Sequence, residues 1–263
     1  SDIFSNEILE NLEIPYYIDA LKYCHFPSSD DYDISNANFE LGRQRFVIEE
    51  LLAYKLLLLD AKKIYESNKS YAFNISEDAI NDFIVSLPFA LTASQKNAIS
   101  DIKNSFLKSY PTKRLIQGDV GSGKTIIAVI ASYFSKLSNL QTGILVPTEI
   151  LADQHTNTFK KIFSGFPVKI ECLKSNLTPR EKSRIIESVQ SGDTDILIGT
   201  HSIIQDNVRF LNLGLIIVDE QHKFGINQRA LLTLKNSENP SIPHELYLSA
   251  TPIPRSLSLV LYE

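Results

Sequence analysis

From residue 89 onward, short apolar runs alternate with longer stretches of helical period. Runs at 114–117, 142–146, 168–173, 195–198, 213–218 and 245–248 are strand-like, and 125–137, 148–163 and 179–189 carry a helical pattern between them. Short apolar strands separated by helices predict a parallel sheet covered on both faces. Residues 1–88 read as helical. Pro15 opens a short amphipathic stretch that ends near Phe26-Pro27, Ser28-Ser29-Asp30-Asp31 reads as a loop, and 36–66 is one long helical pattern without proline and without glycine after Gly42. Within it Phe46, Leu51, Leu52, Leu56 and Leu59 recur at helical spacing, with Arg43, Arg45, Glu49, Glu50 and Lys55 between them. The pattern predicts two units, a helical packing or linker segment over 1–88 and an α/β domain over 89–263.

Charge sharpens that division. The chain carries a net charge of −5, but residues 1–88 hold 7 basic against 16 acidic side chains and residues 89–263 hold 19 against 15. An acidic front and a mildly basic back imply two units with different tasks. Hydrophobic residues make up 43% and charged residues 22% of the 263, ordinary for a globular chain. The longest leucine run, Leu56 to Leu59, is flanked by Lys55 and Asp60 and is far too short to cross a bilayer, so no membrane partner is expected. The N-terminus lacks the basic start and apolar core of a signal peptide. Cys24 and Cys172 have no metal or redox spacing, and two buried thiols in a reducing cytoplasm are expected. The chain starts at Ser1 and contains no methionine, which suggests an excised or processed piece.

In a parallel α/β sheet, ligands sit at the carboxyl ends of the strands, and there the chemistry is found. After the first run comes Gly118-Asp119-Val120-Gly121-Ser122-Gly123-Lys124-Thr125, which satisfies G-x-x-x-x-G-K-[ST] between a strand and a helix. Glycines allow the positive φ angles that turn backbone N–H groups inward into an anion nest, and the helix N-terminus adds its dipole. Lys124 is expected to reach the β- and γ-phosphates, and the Thr125 hydroxyl to sit on Mg²⁺. A second apolar run, 213–218, delivers Asp219 and Glu220 to the same edge. Asp219 suits a Mg²⁺ ligand and Glu220 the group that orients or deprotonates an attacking water. Gln221 and His222 follow, polar groups suited to sensing a γ-phosphate. The expected ligands are therefore a nucleoside triphosphate and Mg²⁺.

With these residues in hand, the chain resembles the superfamily two helicases. Gly118–Thr125, Pro147-Thr148-Glu149-Ile150-Leu151-Ala152-Asp153-Gln154-His155, Gly199-Thr200-His201-Ser202-Ile203-Ile204-Gln205, Asp219–His222 and Ser249-Ala250-Thr251-Pro252-Ile253-Pro254-Arg255 stand in the order of that family's motifs I, Ia, Ib, II and III. Within it the chain looks most like the RecG family of bacterial helicases that remodel stalled forks. His25-Phe26-Pro27, the Arg45-Phe46 to Leu52 helix, and Leu87-Pro88-Phe89-x-Leu91-Thr92-x-x-Gln95 extend the resemblance across nearly the whole chain. One departure is Lys223, where that family usually has arginine; an arginine in a bidentate contact is not matched by a lysine.

The resemblance implies a RecA-like P-loop NTPase domain and ATP hydrolysis coupled to DNA movement in repair and recombination. It implies branched DNA as partner, a cytoplasmic bacterial setting and a monomer. It also implies roles for further residues. Gln95 would read adenine, although Thr92-x-x-Gln95 is equally a helix capping box. Thr148, Thr200, His201 and Ser202 lie in segments that follow strands and start helices, where free N–H groups and hydroxyls suit DNA phosphates, or serve as ordinary caps. His222, Ser249 and Thr251 would link hydrolysis to movement; Arg255 is open to a DNA phosphate, an acidic partner or neither. Such enzymes use a second motor domain whose arginines stabilise the transferring phosphoryl group. No motifs follow motif III here, so weak nucleotide binding and slow turnover are expected of this chain alone. The competing readings are a transcription-repair coupling translocase, disfavoured by Gln221 and His25-Phe26-Pro27; a phosphate-loop kinase or switch, which leaves 249–255 unexplained; and a nucleotide-binding module without turnover.

Overall fold

The computed structural model describes residues 2–26, 32–220, 235–236 and 241–250. It divides into two compact units, Ser1–Lys63 and Ile64–Glu263. The first holds α1 (Asn6–Asn11), α2 (Tyr17–His25) and most of α3 (Tyr32–Glu66). Phe4, Leu9 and Ile14 form a small core, with Ile48 packed against it. Here the helical stripe read from the sequence is only partly used. Leu51, Leu52, Leu56 and Leu59 are exposed, whereas Arg45 is fully buried. Its guanidinium lies 4.1 Å over the Phe4 ring and contacts Asp2 Oδ1 at 2.5 Å and Glu49 at 3.5 Å. A planar cation can stack on an aromatic face while pairing with carboxylates, a combination a lysine does not match.

Among the described residues the second unit is built on a six-stranded parallel sheet. Its strands are β1 (Lys113–Gln117), β2 (Gln141–Leu145), β3 (Ile170–Leu173), β4 (Ile196–Gly199), β5 (Leu213–Asp219) and β6 (His244–Ser249), in the order β1-β6-β5-β2-β4-β3. Each of the six runs predicted as strands forms one. Alternate residues serve opposite faces, as the two-residue period requires. On one face Ile144, Ile196, Ile198, Leu215, Ile217, Leu246 and Leu248 join the main core with α6 (Lys124–Leu137) and α7 (Glu149–Ile162). On the other, Leu145, Leu197, Ile216, Val218 and Tyr247 pack with Ile185 and Val189 of α8 (Pro179–Gln190) and with Ile203 of a short 3₁₀ turn, His201–Ile204. Helix α6 is buried from Ile126 to Ser135 on all sides, the property of a helix inside a core rather than on it.

The division at Lys63/Ile64 differs from the boundary expected between residues 88 and 89. The reason is packing. Phe73, Leu87 and the α4 (Glu77–Ser86) residues Ile80 and Phe83 belong to the main core, beside Ile99, Ile102 and Phe106 of α5 (Ala93–Phe106). Residues 69 and 70 are tied to 242 and 109 by backbone and hydroxyl hydrogen bonds. The acidic composition of 64–88 reflects its solvent side and carries no information about what its apolar side covers. The two thiols, expected buried, are half-buried; burial pushes the Cys172 thiol above its ordinary value.

Candidate nucleotide site

The strand order builds the site. β1 and β5 both pair with β6, with Gln117 level with Ser249 and Asp219 level with Leu248. The phosphate loop after β1, Ser249 at the end of β6 and Asp219-Glu220 at the end of β5 therefore share one edge on three neighbouring strands. β2 follows β5, and β4 follows β2. Thr148 and Thr200, which come directly after β2 and β4, thus continue the same edge away from the loop.

In the loop, Gly121 and Gly123 both take φ +83°, the left-handed region that side chains resist. Gly123 is the N-cap of α6, and no side chain caps this helix or places a carboxylate in its first turn. The neighbouring helices differ: Ser76, Thr92, Thr148 and Thr178 each accept a helix N–H at the starts of α4, α5, α7 and α8. A buried helix whose first N–H groups are left to an external acceptor is suited to an anion. Lys124 Nζ donates to the carbonyls of Gly118 at 2.6 Å and Asp119 at 2.8 Å, which holds its charge over the loop. Asp119 and Val120 are exposed at the loop tip, and the Ser122 N–H donates to the Asp119 carbonyl at 3.1 Å, closing the turn. The donor set fits a nucleoside triphosphate.

Of the two readings of Gln95, the geometry forms the capping box. Its side-chain oxygen accepts the Thr92 N–H at 3.0 Å while the Thr92 hydroxyl accepts the Gln95 N–H, so the capping box forms. Its side-chain nitrogen donates to the Ser122 carbonyl at 3.1 Å. Gln95 thus braces the phosphate loop from the start of α5.

Asp219 ends β5 with its side chain largely buried, and Glu220 follows in the left-handed region at φ +54°, its N–H donating to the Leu248 carbonyl at 3.0 Å. That conformation costs a residue with a Cβ roughly 1–2 kcal/mol, and the β6 hydrogen bond holds it there. Thr125 stands in the first turn of α6 and is half-buried. Among the described residues no group of three or more His, Cys, Asp or Glu could hold a metal. A cation at this edge would rest on one carboxylate, a hydroxyl and phosphate oxygens, the sparse protein donor set that Mg²⁺ accepts. Thr125 and Asp219 are the residues that fit.

The remaining expected residues divide. Thr148 is exposed, and its hydroxyl accepts the Leu151 N–H at 3.3 Å as the α7 cap. His201 is exposed, whereas Thr200 is buried. Ser202 is also buried and donates to the Leu173 carbonyl at 2.6 Å, so its hydroxyl joins the end of β3 to the 3₁₀ turn instead of facing a phosphate. Ser249 is buried, with its carbonyl accepting the Gly118 N–H at 3.2 Å. Gln221, His222, Lys223, Thr251 and Arg255 lie outside the described residues. One site residue escaped the sequence reading: His155, whose Nε2 lies 2.8 Å from Asp219 Oδ2. Its sequence signal was its place seven residues after Thr148, two helical turns into α7.

Comparison with known proteins agrees with this geometry. The DEAD/DEAH box helicase family model matches residues 92–260. The ATP-dependent DNA helicase RecG of Aquifex aeolicus is 39% identical over 97% of this chain and 32% of its own length. That of Bacillus subtilis is 37% identical over 99% of this chain and 37% of its own. The chain spans about a third of the length of these curated relatives. A solved structure of RecG bound to a three-way DNA junction superposes on all of this chain and 34% of that one, with a TM-score of 0.82 and 36% identity. The DEAD-box helicase Mss116 bound to single-stranded RNA matches 71% of this chain and 41% of its own at TM-score 0.55 and 21% identity, a likeness of fold, and the sheet is RecA-like. The chain belongs to the DEAD/DEAH box helicase family, and its likeness to RecG runs over nearly its whole length.

Proposed function

We propose that this chain is the ATP-binding motor domain, with its preceding helical segment, of an ATP-dependent DNA helicase that remodels branched DNA such as forks and recombination junctions. The observation that carries the reading is the shared edge: an uncapped phosphate-loop helix after β1 and an Asp-Glu pair after β5, both flanking β6. Lys124 and the loop N–H groups bind the triphosphate. Thr125 and Asp219 would hold Mg²⁺, whose charge would stabilise the negative phosphoryl group in transfer. Glu220 orients the attacking water and takes its proton. Exposed Thr148 and His201, farther along the same edge, suit a DNA backbone read without regard to sequence. Branched DNA as substrate is supported by the RecG likeness, one such relative having been solved on a three-way junction. On this reading a second motor domain of a longer parent chain closes the cleft. The 263 residues alone turn over slowly, and the parent acts as a cytoplasmic monomer.

The test is ATP hydrolysis by the parent chain without DNA, with linear duplex and with a three- or four-way junction. Junction stimulation that Glu220→Gln abolishes is the expected result. Equal stimulation by linear duplex indicates a double-stranded DNA translocase of the transcription-coupling type. No response to any DNA rejects the motor and leaves a nucleotide-binding module.

A further inference from the structure

We infer that His155 is a positioning residue for Asp219, and through it for the metal ion that accompanies a bound nucleotide. The inference rests on the reading of Asp219 as the Mg²⁺ ligand. His155 lies on α7, the helix after β2, and Asp219 at the end of the adjacent strand β5. The two meet at 2.8 Å, Nε2 to Oδ2, with side-chain exposures of only 9% and 14%. A carboxylate at that distance accepts, so Nε2 carries a proton and donates it to Asp219. That nitrogen, Nδ1, is buried without a hydrogen-bond partner among the described residues. The imidazole therefore commits its Nε2 donor to Asp219.

The ring is held firmly. It packs edge-on against Phe159, itself fully buried, and α7 is anchored beside it by buried Ala152. Fixing Oδ2 restricts rotation of the carboxylate and keeps Oδ1 for the cation or its water. Hydrogen bonds to ligating carboxylates orient the ligand, and their loss typically costs 10–100-fold in metal affinity. A histidine serving only to fill the core would not leave a buried nitrogen unpaired while giving its Nε2 donor to a carboxylate at the phosphate edge. The contact also joins α7, which begins at Thr148, to the strand end that carries Asp219.

The experiment measures binding of a fluorescent ATP analogue to the 263-residue chain by anisotropy, across a Mg²⁺ titration and in EDTA. His155→Leu removes the donor. His155→Gln keeps an N–H near the Nε2 position, and His155→Asn carries one too short to reach. The expected result is a 10–100-fold rise in the Mg²⁺ concentration at half-effect for Leu and Asn, with near wild-type behaviour for Gln. Affinity in EDTA stays within about twofold throughout, which a general loss of structure would not leave intact. Should His155→Leu fail to fold, the Gln and Asn pair decides. Superimposable Mg²⁺ curves for wild type and Asn overturn the inference. Asp219→Asn separates the two levels: if it abolishes the Mg²⁺ effect while the His155 variants do not, only the role of His155 falls. If Asp219→Asn leaves the Mg²⁺ curve unchanged, or wild type shows no Mg²⁺ effect, the metal reading falls and takes this one with it.

Discussion

His244, the first residue of β6, is sealed between the rings of Phe106, stacked at 4.9 Å, and Phe73, edge-on at 5.2 Å. Its Nδ1 accepts the Thr112 N–H at 3.2 Å, so Nε2 carries the proton and donates to the Tyr71 carbonyl at 2.8 Å. Burial pushes the imidazole down from 6.5 to about 4, partly opposed by that carbonyl. Between these two pH values the unfolded chain holds a proton that the folded chain refuses. Stability from this residue is therefore complete above pH 6.5 and is lost as pH falls towards 4, by about 3 kcal/mol in all. Urea midpoints measured from pH 7.5 to 4 should fall across this window, and His244→Gln should flatten the fall. An unchanged slope in the variant would assign the acid sensitivity elsewhere. At this scale the sequence exposed the candidate groups at the strand ends but not their neighbours. Lys124, Asp219 and Glu220 were legible because motif and strand context name them. His155 and the burial of Ser202 were not, since both depend on partners 64 and 29 residues away.

Among the elements, α4 shows what local pattern leaves undecided. Phe83 is fully buried, stacked on Tyr133 at 4.4 Å and on Phe163 at 5.2 Å, with Phe166 edge-on at 4.9 Å. These rings come from α4, α6 and the chain following α7, so one short helix ties three parts of the core. Truncating such a side chain typically costs 3–5 kcal/mol. Phe83→Ala should lower the unfolding free energy of the second unit by that amount in denaturant titration while leaving the phosphate loop's residues in place. A loss below about 1 kcal/mol would mean the core closes around the cavity. The six strands were readable from their apolar runs because a sheet buried on both faces demands them. The α3 leucines mislead for the converse reason. Helical spacing says which residues share a face, and only packing says whether that face is covered.

At the scale of the molecule, the unit boundary gives a direct test. A piece spanning 64–263 keeps Phe73, Ile80, Phe83 and Leu87 in the main core, and one spanning 89–263 loses all four. It also loses the Tyr65 hydroxyl, which donates to Glu245 at 2.8 Å, and the backbone link from Phe73 to Phe106. The longer piece should unfold in one cooperative transition with a fixed near-ultraviolet spectrum. The shorter should melt lower or without a sharp transition. Equal melting of the two would restore the boundary at 88/89.

The sequence by itself determined the class of chemistry and the class of fold. A glycine-rich loop before a helix and two acids after an apolar strand are local arrangements, set by conformational freedom and hydrophobic period within a few residues. Only the tertiary structure decided which strands are neighbours. The order β1-β6-β5-β2-β4-β3 is built from pairings between distant segments, and it brings the loop, the acidic pair and Ser249 to one edge. The same long-range packing buries Arg45, leaves the α3 leucines exposed and sets His155 against Asp219. Those outcomes turn on which surfaces meet, and no periodicity along the chain records that.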